Sequence, residues 1–124
     1  MKSFLILLSC LLFLTFGTLI EQTYVKETFA FLREEMVSIQ SEVENETVEE
    51  EDVANLYAWW KKQKETLHAF IPHNDIRELD SWFAQLETHV KNKNFLLADA
   101  CSKVIITFAI TIPGTYEFTL DNIF

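Results

Sequence analysis

Residues 4–20, FLILLSCLLFLTFGTLI, form an uncharged run of seventeen residues, with Phe4 at one end, Ile20 at the other and a single base, Lys2, before it. As a helix this run is about 25 Å long, a little short of a ~30 Å hydrocarbon layer but within the range that spans one. Such a run behind a lone lysine predicts a signal-anchor type membrane helix over residues 1–21, with the bilayer as its partner. A core helix fits that placement poorly. A cleaved export signal is the alternative, with Thr15 and Gly17 as a weak small-residue cut site. Cys10, after Leu7, Leu8 and Ser9, loosely matches a lipid-attachment box, but the apolar run before it is short and continues well past it. Lys2 and the terminal amine on one side nearly balance Lys26 and Arg33 on the other. The signal-like placement predicts a cytoplasmic N-terminus and residues 21–124 outside the cell membrane.

The remainder is acidic. From Glu21 onward nine bases face nineteen acids. This argues against nucleic acid, whose phosphates need a basic face, and against an anionic membrane surface for the same reason. Two glycines and two prolines leave little material for the turns of a sandwich or barrel. The cysteines, Cys10 and Cys101, fall in the apolar run and a late helical stretch, so no disulfide framework is indicated.

Apolar spacing predicts an all-α chain: the anchor, an antiparallel bundle of about four helices over residues 22–114, and an extended tail over 115–124. Val25, Phe29, Leu32, Met36, Ile39 and Val43 recur at alternating intervals of four and three. That seam serves an intramolecular bundle or, less readily at this length, a coiled coil. Thr47 and Glu50 match a capping box and predict a second helix from about 47, carrying Val53, Leu56, Trp60, Leu67 and Phe70 and stopped by Pro72. Asn74 or Asp75 caps a third, with Ile76, Leu79, Phe83, Leu86 and Val90 as its seam. Asn94 caps a fourth that runs to Pro113 and Gly114. Residues 104–112 are rich in β-branched side chains, which leaves a strand as the alternative there.

Between Glu34 and Asp52 lie nine acids and no base. They read as a solvated face, which Lys61, Lys62 and Lys64 could partly counter across an antiparallel turn. The spacing of a calcium loop is absent. Trp59 and Trp60 point about 100° apart on a helix, so both join the core only if the buried stripe is wide. Both filling a small core is the favoured reading; if one is instead partly exposed, they are with Trp82 and His73 the candidate interaction surface. His68, His73 and His89 lack the spacing of a metal site. Asp75 and Asp80 lie on different helix faces, against a carboxylate pair. No catalytic residue, metal or cofactor is expected.

MKSFLI at the start, Trp59-Trp60 and the lysines after them, the pattern Phe70-Ile71-x-His73-x-Asp75-Ile76-x-x-Leu79 and the closing Leu120-Asp121-Asn122-Ile123-Phe124 together resemble domain-of-unknown-function family 4363. The resemblance covers nearly the whole chain. It implies a small Gram-positive bacterial protein with an N-terminal anchor and acidic helices, and it brings no assigned activity. It also argues against the eukaryotic setting in which the sequon Asn45-Glu46-Thr47 would be glycosylated. The family's last helix is amphipathic and charged, whereas 104–112 here is apolar apart from threonine.

Overall fold

In the computed structural model, which describes residues 1–115, the chain forms four helices: α1 (Lys2–Glu44), α2 (Glu50–Leu67), α3 (His73–Lys91) and α4 (Phe95–Thr115). The expected extended tail lies outside the described residues, apart from Thr115, which ends α4. The apolar run and the first bundle helix are one uninterrupted helix of 43 residues, about 64 Å long. Nothing in the sequence between Ile20 and Val25 breaks a helix, and the structure continues straight through.

Successive helices run antiparallel. α1 packs most extensively against α4, and α4 against α3; α2 leans on α3 and touches α1 least. Every residue of the seam read in α1, from Val25 to Val43, is buried, as is every residue of the seam in α3, from Ile76 to Val90. Val53, Leu56, Trp60 and Leu67 supply the same face of α2. Phe29, Trp60 and Phe83 pack ring to ring at the centre, with centroids 6.1 and 6.0 Å apart. Residues 104–112 are helical, not strand. Ile105, Ala109 and Ile112 enter the core and Ile106 and Phe108 pack against it, while Ile110 is 54% exposed. By contrast, the large apolar side chains from Phe4 to Ile20 are all exposed and contribute nothing to the core.

The two turns far from the anchor share one solution. Glu46 and Lys93 adopt left-handed backbone, φ 57° and 56°. Glu46 N–H then reaches Val43 O and Thr47 N–H reaches Glu42 O; Lys93 N–H reaches Val90 O and Asn94 N–H reaches His89 O. Both are Schellman terminations made without glycine. This corrects the capping box. Thr47 is occupied as the last residue of the α1 termination, so α2 starts three residues later at Glu50, with Glu49 as its N-cap and no side-chain cap. Asn94 fills the equivalent place after α3, yet its Oδ1 also accepts the Leu97 N–H at 3.3 Å and caps α4 as expected.

At the other end the boundaries also shift. α2 ends at Leu67, five residues before Pro72, through a tight turn in which Phe70 and Ile71 N–H both reach Leu67 O. Pro72, at φ −56° and ψ 143°, is the N-cap of α3, and its carbonyl accepts from Asp75 and Ile76. Neither Asn74 nor Asp75 is therefore the cap; Asp75 instead sits in the first turn, where the helix dipole favours an acid. α4 runs through Pro113, which removes one backbone donor in the final turn without ending the helix there.

Candidate interaction surface

Because α2 leans away from α1, a groove of about 330 Å³ opens between them. Phe31 and Trp59 line it, their rings 4.7 Å apart, together with Glu35, Ile39, Glu42 and Asp52. Phe31 is 43% exposed and Trp59 is half-buried. The seam residues are occupied by the core, so Phe31, one position off that stripe, is free to meet Trp59 above it.

Toward the far turn the groove becomes acidic. Glu42 Oε2 is shielded from solvent and meets no protein donor. Burial first, then the neighbouring Asp52 and Glu49 carboxylates, push the Glu42 carboxyl above its usual range. Two of the α2 lysines that the sequence sets against the acid run are engaged elsewhere. Lys64 pairs with Asp80 at 2.9 Å and Lys61 lies 3.9 Å over the Tyr57 ring. Glu50, Glu51 and Asp52 occupy the first turn of α2, where the dipole stabilises them.

The four residues singled out from the sequence are not gathered into one patch. Trp60 is fully buried, and its indole Nε1 donates to Asp80 Oδ1 at 2.9 Å. Trp59 faces the groove. Trp82 packs at the core's edge on α3. His73 is at the opposite end of α2, its Nδ1 3.0 Å from Nδ1 of His68. Glu42 escaped the sequence reading; the place of Phe31 just off the α1 stripe suggests that it widens the buried face, whereas the structure leaves it 43% exposed. Among the described residues no group of three or more His, Cys, Asp or Glu is placed to hold a metal ion, and Cys10 and Cys101 are free thiols. Two helices, α1 and α4, are long and apolar enough to cross a membrane; the apolar window of the first is 0% buried and that of the second 33%.

Residues 19–123 match the family model described as Domain of unknown function (DUF4363). The chain belongs to that family. The DUF4363 match takes in the whole described bundle and only the last two residues of the apolar run. No curated protein and no solved structure matches the chain.

Proposed function

We propose that this DUF4363 protein is a single-pass membrane-anchored module, with its N-terminus in the cytoplasm, that displays an acidic helical bundle outside the cell membrane. Its role is non-catalytic: the bundle binds a protein partner or a second copy of itself, and the α1–α2 groove around Phe31 and Trp59 is the contact. The observation that carries the reading is the exposed apolar run of residues 4–20, which the bundle does not use and which passes unbroken into it. Half-exposed aromatic side chains in a groove support the second part, because such residues dominate binding energies at interfaces.

Carbonate washing and protease treatment of intact protoplasts test the anchor and its orientation. Full-length protein that stays with the membrane and is cut beyond residue 21 agrees with the proposal. Release by carbonate, or protection of the bundle, overturns it. A photo-crosslinking side chain at position 59 tests the groove against one at Glu78 on the exposed face of α3. A specific adduct at 59 alone agrees; none at either position, or equal adducts at both, removes the groove from the proposal.

A second reading is a secreted helical binding protein. It is favoured by the same independence of the core from residues 4–20, since cleavage would leave every buried side chain in place. Sequencing the mature N-terminus separates the two. A cell-envelope enzyme is the third reading.

A further inference from the structure

The turn between α2 and α3 lies beside the apolar run, not above it. Thr66 and Phe70 line one concavity with Phe13, Gly17, Ile20 and Tyr24. The Tyr24 hydroxyl donates to Gln63 Oε1 at 2.9 Å, and the Tyr24 and Phe70 rings meet edge to face with centroids 6.4 Å apart. α2 runs antiparallel to α1, so the residues after Gln63 descend alongside Ile20 and the turns before it.

We infer that this turn, residues 68–72, is seated in the lipid headgroup layer and holds the base of the bundle against the bilayer. The inference rests on the anchor reading above. Val25, the first core residue, lies five residues beyond Ile20, about 7 Å along the helix. The headgroup region on one side of a bilayer is itself only ~5–7 Å deep. A bundle that begins there on a continuous helix has no room to stand clear of the surface, and a turn that shares a concavity with Phe13, Gly17 and Ile20 of the apolar run must meet it. The anchor's slight shortness against ~30 Å of hydrocarbon draws the base further in.

The chemistry of that end agrees. Tyr24 and Phe70 are aromatic side chains at interface depth, where amphipathic and aromatic rings concentrate. Charge is sorted along the bundle as well. Lys26, Arg33, Lys61, Lys62, Lys64 and Arg77 belong to the half nearest the anchor, where among the described residues Glu21, Glu27, Glu65, Asp75, Glu78 and Asp80 match them. The unbalanced acids between Glu34 and Asp52 belong to the far half, where repulsion from anionic headgroups is screened by distance.

The test uses full-length protein in phosphatidylcholine–phosphatidylglycerol vesicles, with an environment-sensitive fluorophore on a single cysteine. The native thiols are removed by Cys10→Ser and Cys101→Ala, and helicity is checked by circular dichroism. The cysteine is placed at Phe13 in the anchor, at the exposed Ala69 in the turn, or at Asn45 in the far turn. Nitroxide lipids labelled at the headgroup or deep in the acyl chain act as quenchers. The label at 69 is expected to lose most of its emission to the headgroup nitroxide and to shift to the blue, the label at 13 to be quenched by the deep nitroxide, and the label at 45 by neither. A label at 69 that behaves like the one at 45, while 13 is quenched deeply, overturns the seat and leaves the anchor standing. A label at 13 that no lipid quenches overturns the anchor and the seat with it. Phe70→Ser should reduce quenching at 69 without changing it at 13; unchanged quenching at 69 removes Phe70 from the contact.

Discussion

Trp60 and Asp80 are joined across the α2–α3 seam by a 2.9 Å hydrogen bond from a fully buried indole, and the other oxygen of the same carboxylate takes Lys64 Nζ at 2.9 Å. One acid on α3 thus satisfies the only polar atom of the largest core side chain and fixes a lysine that could have served the acid run. Asp80→Ala leaves the indole N–H unpaired in the core and is expected to destabilise the bundle by about 1–3 kcal/mol. Asp80→Asn retains an acceptor and is expected to lose less. Denaturant melts of the three proteins check both.

Trp59 and Trp60 are neighbours in sequence with opposite fates. Trp60→Ala opens a cavity between Phe29 and Phe83 and is expected to cost about 3–5 kcal/mol. Trp59→Ala, at the groove, should cost clearly less and abolish any adduct formed there. Equal losses of stability would remove Trp59 from the surface.

The Glu42 carboxyl is held above its usual range in the folded state, so folding binds a proton as pH falls toward that raised value. Its destabilising contribution is absent below the ordinary glutamate range, grows as pH rises from that range to the raised folded value, and is complete above it. Glu42→Gln removes the charge that burial and the Asp52 and Glu49 carboxylates disfavour. It is expected to stabilise the protein at neutral pH by about 0.5–1 kcal/mol, with the gain vanishing in acid. Melting curves at several pH values decide it.

Glu46 and Lys93 hold left-handed backbone that a side chain disfavours by ~1 kcal/mol. Glu46→Gly and Lys93→Gly are each expected to stabilise the bundle by about 0.5–1 kcal/mol. Thermal unfolding of the single and double variants checks this, and because Glu46 and Lys93 line one concavity the double variant is expected to depart from the sum of the two.

Residues 1–20 contribute no buried side chain, so a chain beginning at Glu21 should keep its helicity and unfold within about 0.5 kcal/mol of the full-length protein. A molten fragment would mean that the apolar run supports the core.

The helical faces were legible because intervals of three and four encode burial directly. The buried stripe of α3 coincides with the apolar spacing residue for residue, and that of α1 adds only Thr28 to it. The α2–α3 junction was less so: Phe70 continues the α2 spacing but packs from the turn, since Leu67 already closes the helix. Caps were legible only where one residue could serve two helices. Asn94 does so, but Thr47 has both its N–H and its hydroxyl directed at Glu42 O, and local pattern cannot show that competition. The groove was hidden for a similar reason. It exists because α2 leans on α3, and the bridge that secures that lean, through Asp80, joins residues twenty apart. Composition places the acids, but only the fold shows that Lys64 is committed elsewhere.

A helix that runs without a joint from residue 2 to residue 44 makes the bundle a rigid extension of whatever holds its first half. Orientation about the long axis is then set by residue number alone: one residue added between Ile20 and Val25 would turn Trp59 and its groove through about 100°, and a full heptad would return them almost to where they began. The azimuth at which the protein faces its neighbours is therefore written in the length of the four-residue stretch between Ile20 and Val25.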